Sequence, residues 1–570
     1  LKIAAQPHSF LYRVLPQRRP SGFPASPISA GFATPCDPSR PPSHTSGFDQ
    51  VTPAWHIVPH DDSNQRAVRP IGDSAGPPVS ASGPRRCLLI LVDGLRPDVA
   101  EREAAAGRLP NLARLTDAGG RGRAITAFPS TTSVAYLPFL TGCLPGRCNV
   151  PSIRWLDRAA YAGRWWRERE AVRSYCGYQA GMLDADIAPD IRTIFQLVPE
   201  SAAFFTMITR GLTPERDPTQ GARKFWGALS HYLLWHQPAD GVVAKGLLDW
   251  IERDPNWRFL FAQFPAVDGY THQTTPDAPK VVRALHRVDA AVGDTLALLE
   301  AKGQRDNTLI LLVSDHGATT VREHLDLATW FRSRGIPTLA HPELWRPDPR
   351  VAVMVAGNGS AMLYAAPGVP RTERWPLARL RTREAFGSAE DLVSALVREP
   401  AVAFVAAEDH PGQVRLLDAQ GEAIIVDHGV RISYRPEGPD PLGTGPFEAD
   451  RRDTLARSFH ETFPDAAVQL LDQFRSARTG DLVVIGREGY DFRDRWEIPE
   501  HKAGHGSLFR AHMQVPLWSS QPLGAVPLRT VDLFATMLDW LKVEAPTGID
   551  AELVWRAGAP QQELVPALVS

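Results

Sequence analysis

The sequence predicts an α/β fold in which a mostly parallel central sheet carries helices on both faces. Three continuous apolar runs, CLLILV at 87–92, FLFAQF at 259–264 and TLILLV at 308–313, have the length and composition of strands buried on both faces. Between the last two, the segment 281–303 places apolar residues at helical spacing. Strand, helix and strand in alternation indicate a sheet covered by helices.

Elements before and after these runs follow the same logic. LPNLARLTDAGG at 109–120 has helical spacing and ends in Gly-Gly, which predicts a helix after the first strand. VRLLDAQGEAIIVDHGVRISY at 414–434 alternates apolar and polar residues around a turn, which predicts an antiparallel hairpin. DLVVIG at 481–486 and VPLW at 515–518 are interpreted as strands that return to the central sheet, followed by a covering helix at 530–541.

Composition divides the chain into five segments. The first is rich in Pro, Ser and Gly without any period, so we expect a disordered leader, or a stretch that is not part of the functional protein. An inserted α+β cap interrupts a catalytic core. The predicted segments are the leader 1–84, the first part of the core 85–340, the cap 341–480, the second part of the core 481–545 and a C-terminal tail 546–570.

The overall composition excludes several classes of function. The chain has 570 residues with 62 basic and 64 acidic side chains and no basic stripe, so a nucleic-acid partner is not expected. No apolar window reaches the roughly 18 residues of a membrane span. The first twenty residues lack the apolar centre of a secretory signal, which leaves the compartment open between cytoplasmic and periplasmic or secreted. The five cysteines contain no CxxC pair, which disfavours a zinc ribbon or a disulfide framework.

Acidic residues and histidines follow the predicted strands. In parallel sheets the chemistry lies at the carboxyl ends of the strands, so these side chains are expected to meet there. Taken singly, each has an ordinary explanation, such as a helix cap or a structural histidine. Together, carboxylate and imidazole groups suit zinc, manganese or iron. The candidates are Asp93, Asp268 with His272, Asp315 with His316, and His505.

Five motifs carry a resemblance to a known family. They are VDGLRPD at 92–98, FPSTT at 128–132 followed by Thr141-Gly142, DGYTH at 268–272, SDHG at 314–317, and His505-Gly506 followed by VPL. Their order is typical of the alkaline phosphatase superfamily, and the chain resembles its type I phosphodiesterase/nucleotide pyrophosphatase family over residues 87 to about 330 and 480 to 545. The resemblance implies an alkaline-phosphatase-like sheet.

The same resemblance implies a hydrolase with two divalent metal ions, with zinc favoured and manganese or iron as alternatives. It places Asp93, Asp315, His316 and the nucleophile Thr132 on one metal ion, and Asp268, His272 and His505 on the other. Coordination to a divalent cation would activate the threonine hydroxyl, and a phosphothreonine intermediate is expected. The implied substrate is a small-molecule phosphoester, more specifically a diester or pyrophosphate. The oligomeric state stays open.

Two neighbouring residues compete for the assigned roles. In the family the nucleophile lies nine residues before the Thr of a Thr-Gly pair, which selects Thr132 over Thr131 because Thr141 and Gly142 form that pair. The family's last histidine is followed directly by glycine, which favours His505 over His501.

Two alternative functions remain open. CLPGR at 143–147 matches the Cys-x-Pro-x-Arg signature of sulfatases and would make Cys143 the nucleophile of a sulfatase or phosphonate monoester hydrolase. However, in sulfatases that cysteine lies nine residues before Thr-Gly, whereas Cys143 follows it. A catalytically silent binding protein of the same fold is the other alternative, although every expected position holds a competent residue.

One departure from the family concerns substrate binding. The family has an asparagine about twenty residues after the nucleophile that contacts a phosphate oxygen, and here Ile153 or Arg154 occupies that place. Arg154 has two interpretations, a charge-assisted contact to phosphate or an exposed arginine paired with Asp157.

Overall fold

The computed structural model describes residues 83–117, 119–161, 171–344, 348–369, 371–493, 497, 500–524 and 527–557. The predicted leader lies outside the described residues except for its last two, and the tail beyond residue 557 also lies outside them. Within the described part of the chain, no helix is both long and apolar enough to cross a membrane.

The strands fall into a central sheet, a second large sheet and three short pairs. In chain order they are β1 (Arg86–Val92), β2 (Gly120–Ile125), β3 (Arg154–Leu156), β4 (Val172–Ser174), β5 (Ser201–Phe204), β6 (Phe259–Phe264), β7 (Thr308–Val313), β8 (Thr319–Thr320), β9 (Glu323–His324), β10 (Thr338–Ala340), β11 (Val351–Ala356), β12 (Ser360–Ala365), β13 (Val402–His410), β14 (Gln413–Leu417), β15 (Glu422–Asp427), β16 (Arg431–Glu437), β17 (Phe447–Asp450), β18 (Leu482–Gly486), β19 (Tyr490–Asp491), β20 (Ala503–Gly504), β21 (Gln514–Ser519) and β22 (Leu528–Arg529).

The central sheet has the order β22-β2-β21-β7-β1-β6-β5. The pairs β7-β1, β1-β6 and β6-β5 are parallel, and β21 runs antiparallel to both of its neighbours. The predicted mostly parallel sheet is therefore confirmed, and the VPLW segment returns to it within β21 as expected.

Alternation along β1 explains why its apolar run is continuous. Cys87, Leu89 and Leu91 join the hydrophobic cluster on one face, and Leu88, Ile90 and Val92 join the cluster on the other face. Side chains of a strand point alternately to the two faces of its sheet, so a strand covered on both faces needs apolar residues at every position.

Helices cover both faces of the central sheet, as predicted. Buried side chains of α1, α2, α7 and α9 pack in one cluster, and those of α3 and α17 pack in the other. The helices are α1 (Pro97–Ala105), α2 (Pro110–Leu115), α3 (Leu137–Thr141), α4 (Leu183–Asp186), α5 (Ile194–Leu197), α6 (Gln220–Leu233), α7 (Gln237–Arg253), α8 (Ala266–Gln273), α9 (Pro279–Ala301), α10 (Leu327–Ser333), α11 (Leu377–Leu380), α12 (Arg383–Phe386), α13 (Leu392–Leu396), α14 (Arg451–Ser458), α15 (Ala466–Gln473), α16 (Arg510–Met513) and α17 (Asp532–Leu541).

The second sheet corrects one prediction. Its order is β10-β11-β12-β18-β13-β14-β15-β16-β17, and it contains the predicted hairpin as β14 and β15. The DLVVIG segment forms β18, which lies between β12 and β13 in this sheet and does not return to the central sheet. An apolar run indicates a buried strand, but it does not specify the neighbouring strands, and here the inserted segment supplies them. The five-segment division itself stays a prediction.

Candidate active site

Three buried carboxylates meet at the carboxyl edge of the central sheet. Asp93 directly follows β1, and Asp315 follows the adjacent strand β7. Asp268 lies in the first turn of α8, which begins just after β6 on the other side of β1. All three side chains are buried. Parallel neighbouring strands end at the same edge, which is why residues more than 200 positions apart come together.

One group of donor atoms surrounds His316 Nε2. Ligand atoms of Asp93, Asp315 and His316 all lie within 4.8 Å of one another. His316 Nε2 is 3.4 Å from Asp93 Oδ1 and 3.4 Å from Asp315 Oδ2. Thr132 Oγ1 lies 3.2 Å from the same nitrogen and 3.4 Å from Asp93 Oδ1.

A second group contains Asp268, His316 and His505, with ligand atoms again within 4.8 Å. The rings of His316 and His505 are stacked with their centroids 3.8 Å apart. His272 lies one helical turn after Asp268, and its Nε2 is 3.1 Å from Asp268 Oδ2. The structure thus brings all seven predicted site residues into one cluster. It places His316 in both groups, whereas the resemblance assigned it to one metal ion.

Each histidine of the cluster is oriented by a backbone carbonyl. Because a carbonyl oxygen accepts hydrogen bonds, each Nδ1 carries a proton, and each ring turns its Nε2 toward the cluster. The bonds run from His316 to Gly317 O at 3.1 Å, from His272 to Ala503 O at 2.8 Å and from His505 to Ser130 O at 2.9 Å. Although burial opposes it, the Asp268 charge raises the pKa of His272 to about 9, so this Nε2 must lose a proton before it can bind a cation.

The charges at this edge fit divalent cations. Burial, followed by repulsion from Asp315 and Asp268, holds the pKa of Asp93 well above its ordinary value. Burial and the Asp268 charge raise the pKa of Asp315 to about 8. Asp268 Oδ1 and Asp315 Oδ2 are buried without a hydrogen-bond partner among the described residues. Unpaired buried carboxylate oxygens beside imidazole Nε2 atoms are a donor set of the kind that zinc or manganese accepts.

The two threonines of the FPSTT motif have different surroundings. Thr131 is fully buried, and its Oγ1 has no hydrogen-bond partner in the described part of the chain. Thr132 is partly exposed, and its hydroxyl faces Asp93 and His316. Of these two threonines, only Thr132 turns its hydroxyl toward the cluster, and its role as nucleophile stays a prediction.

The competing residues occupy peripheral or inaccessible places. The His501 ring stacks on His272 at a centroid distance of 4.0 Å and its Nδ1 contacts Glu497, so it borders the cluster without joining either group of donor atoms. Cys143 is completely buried in the hydrophobic cluster shared by the central and second sheets. A nucleophile needs access to its substrate, and this burial argues against catalysis by Cys143.

Arg154 is not paired as one interpretation expected. Its Nη1 donates to Val355 O at 3.2 Å, and no ion pair with Asp157 is present among the described residues. Asp157 instead accepts hydrogen bonds from the backbone N–H groups of Ala159 and Ala160. Whether Arg154 contacts a phosphate stays a prediction.

Sequence reasoning missed several residues that surround the cluster. Tyr136 and Gln263 both donate to Asp93 Oδ2. The sequence contained an indication for Gln263, because it is the one polar residue in the apolar run FLFAQF. Gly357, in the turn between β11 and β12, had none, because its contact with His505 depends on how the second sheet is placed.

Comparisons with known proteins place these observations in a family. No curated protein matches the sequence. Similar solved structures include phosphonoacetate hydrolase from Sinorhizobium meliloti 1021 in complex with phosphonoacetate. The two chains are 14% identical with a TM-score of 0.49, and the alignment covers 80% of this chain and 96% of the hydrolase chain. Human ectonucleotide pyrophosphatase/phosphodiesterase 5 is 12% identical with a TM-score of 0.49, and the alignment covers 81% of this chain and 96% of the human chain. The family model for type I phosphodiesterase/nucleotide pyrophosphatase matches residues 87–508, and the chain therefore belongs to this family.

Proposed function

We propose that this protein is a metal-dependent phosphodiesterase or pyrophosphatase that uses Thr132 as its nucleophile at a two-metal site. Membership of the type I phosphodiesterase/nucleotide pyrophosphatase family supports a hydrolase that acts on phosphoesters. The observation that supports Thr132 as the nucleophile is the position of its Oγ1, which lies 3.4 Å from Asp93 Oδ1 and 3.2 Å from His316 Nε2.

The metal ions would be held by donors of this cluster, as the family resemblance assigns them. Asp93, Asp315 and His316 would hold one ion next to Thr132, and Asp268, His272 and His505 would hold the other. When bound, two divalent ions of the zinc class lower the pKa of a coordinated hydroxyl and stabilise the negative charge of an in-line displacement.

The residues of the chain supply the nucleophile and its orientation. Thr132 Oγ1 would lose its proton and attack phosphorus, forming an Oγ–P bond while the bond from phosphorus to the leaving oxygen breaks and the leaving group takes up a proton. Water would then hydrolyse the phosphothreonine and release the product. Partial exposure of Thr132 and His272 indicates the side from which substrate enters, since the other donors of the cluster are buried.

The two alternatives are less well supported. A sulfatase that uses Cys143 would need a thiol that reaches substrate, and this side chain is fully buried. A catalytically silent protein would be expected to have lost at least one competent side chain, and all seven are present in one cluster.

The proposal can be tested on the purified protein by measuring bound metal ions and hydrolysis of bis(p-nitrophenyl) phosphate, p-nitrophenyl phosphate and p-nitrophenyl sulfate. The variants are Thr132→Ala, with Thr131→Ala and Cys143→Ala as matched controls. We expect about two ions per chain, a preference for the diester, and a loss of about 10³-fold or more in kcat in Thr132→Ala alone. Preferred sulfate hydrolysis that disappears in Cys143→Ala would instead identify a sulfatase, and full activity in Thr132→Ala would exclude the threonine nucleophile.

A further inference from the structure

The Asp93 carboxylate is held by two side chains to which the proposed mechanism gives no role. Tyr136 donates its hydroxyl to Asp93 Oδ2 at 3.0 Å, and Gln263 donates its amide Nε2 to the same oxygen at 2.8 Å. We infer that Tyr136 and Gln263 are positioning residues that occupy Oδ2, so that Asp93 offers Oδ1 alone to a cation. This inference rests on the proposed function only in taking Asp93 as a metal ligand.

Both donors lie in secondary-structure elements next to Asp93 or Thr132 in the fold. Gln263 lies in β6, where it is paired with Leu91 of β1, two residues before Asp93. Tyr136 ends the short 3₁₀ turn Val134–Tyr136, which begins two residues after Thr132. Both side chains are buried. The direction of the Asp93 carboxylate is thus determined by the neighbouring strand and by the segment that carries the nucleophile.

The other oxygen of Asp93, Oδ1, faces Thr132 and His316. Asp93 Oδ1 is 3.4 Å from Thr132 Oγ1 and 3.4 Å from His316 Nε2. Tyr136 therefore links the nucleophile's own segment to the carboxylate beside the nucleophile. A rotation of the Asp93 carboxylate would change the distance from Oδ1 to both groups at once.

The other two carboxylates of the cluster are held by other kinds of partner. Asp315 Oδ1 accepts a backbone hydrogen bond from Gly94 at 3.2 Å, and its Oδ2 has no hydrogen-bond partner among the described residues but lies 3.4 Å from His316 Nε2. Asp268 Oδ1 also lacks a hydrogen-bond partner within that part of the chain, whereas its Oδ2 lies 3.1 Å from His272 Nε2. Asp93 differs from both because two side-chain donors converge on one of its oxygens.

A purely structural role is the alternative explanation. A buried carboxylate needs hydrogen bonds whether or not it binds a metal ion, so loss of either donor would lower stability in both cases. The two roles differ in what happens to metal affinity. Residues that orient a ligand typically change the affinity for the metal ion by 10- to 100-fold when they are removed.

The experiment measures Zn²⁺ affinity of the metal-stripped full chain by competition with a chromophoric chelator, together with the melting temperature without metal. The variants are Tyr136→Phe and Gln263→Leu. The matched control is Tyr175→Phe, because Tyr175 is a buried tyrosine that donates to Asp186 Oδ2 at 3.0 Å outside the donor cluster. We expect the first two variants to weaken the tighter Zn²⁺ site by about 10- to 100-fold, and the control to leave it within twofold.

The outcomes separate the positioning role from a structural role and from the proposed function. If both variants melt at lower temperature but bind Zn²⁺ like the wild type, the two donors have a structural role only. If Tyr136→Phe does not fold, Gln263→Leu decides alone. If the wild type binds no Zn²⁺ at all, the inference and the metal proposal fail together. If Zn²⁺ binding follows the expectation but no phosphoester is hydrolysed, the proposed function fails and the positioning role stands.

Discussion

At the scale of single residues, the position of His505 depends on a glycine from the second sheet. A side chain on Gly357 would place its Cβ 2.6 Å from Thr131 Cγ2 and 2.8 Å from His505 Nδ1. Its backbone also has a positive φ of 52°, which side chains with a Cβ rarely adopt. The backbone N–H of His505 donates to the backbone carbonyl of Gly357 at 3.1 Å, and this contact aligns the histidine with the cluster.

We therefore expect Gly357→Ala to disturb the site and the fold together. The crowded Cβ and the strained φ should lower the free energy of unfolding by about 1–3 kcal/mol and reduce metal retention. Gly368→Ala is the control, since among the described residues no atom other than those of its chain neighbours lies within 4 Å of its Cβ position. Chemical denaturation and metal analysis of both variants provide the test, and equal stability of the two would show that the turn tolerates a side chain.

At the scale of elements, a buried acid connects two helices behind the cluster. Asp240 lies in the first turn of α7, and its Oδ1 accepts a hydrogen bond from Ala266 N–H, the first residue of α8, at 3.0 Å. Its Oδ2 is buried without a partner among the described residues. Burial raises the pKa of Asp240 to about 7. Since α8 carries Asp268 and His272, this contact supports the helix that presents both.

The raised pKa predicts a pH-dependent gain of stability in Asp240→Asn. A carboxyl group whose pKa is higher in the folded state than in the unfolded chain makes the protein less stable as pH rises. The free energy of unfolding falls from about pH 4 to about pH 7, because the group ionises more easily in the unfolded chain. The amide keeps the acceptor for Ala266 and removes the charge. We expect the variant to be more stable than the wild type at pH 8, on the order of 2–4 kcal/mol, and this difference to vanish near pH 4.

Asp289→Asn is the matched control for that measurement. Asp289 is equally buried, but its oxygens accept three hydrogen bonds, two from Asn111 and one from Leu112 N–H. An amide there would place N–H groups against donors, so this variant should be less stable than the wild type at pH 8. Denaturant unfolding at pH 4, 6 and 8 gives both comparisons. A destabilised Asp240→Asn at pH 8 would contradict the account given for its carboxylate.

At the scale of the whole molecule, the two large sheets share one hydrophobic cluster. Side chains of β1 and β7 pack in the same cluster as Met354, Tyr364 and Phe404 of the second sheet. The described residues also fall within a single compact unit. In addition, β18 obtains both of its neighbours, β12 and β13, from the segment predicted as an inserted cap.

These contacts predict that the core does not fold without residues 341–480. Replacing that segment by a short Gly/Ser linker would expose the shared cluster and leave β18 without strands to pair with. We expect an insoluble or non-cooperatively unfolding product with no diester hydrolysis. The measurement is soluble yield followed by thermal unfolding of any soluble fraction. A cooperative transition with bound metal would show that the cap is an independent addition.

By itself, the sequence determined the type of sheet, the strands at its centre and the acidic residues at the ends of those strands. Period and composition are local properties, so the buried strands around 87–92, 259–264 and 308–313 and the helix between the last two could be predicted from neighbouring residues. The same holds for the acids that end these strands and for the spacing from Thr132 to Thr141-Gly142. Parallel pairing then made it foreseeable that Asp93, Asp268 and Asp315 would meet.

Only the tertiary structure decided which distant residues support that edge. The placement of β18 in the second sheet, the contact of Gly357 with His505, and the two donors on Asp93 all depend on strand order and register. A buried apolar run carries no information about its partners, and one glutamine in a strand does not reveal the carboxylate it faces. Such contacts join segments that lie far apart in the chain, 43 residues for Tyr136 and Asp93 and 170 residues for Gln263 and Asp93, because packing of the shared core brings them together.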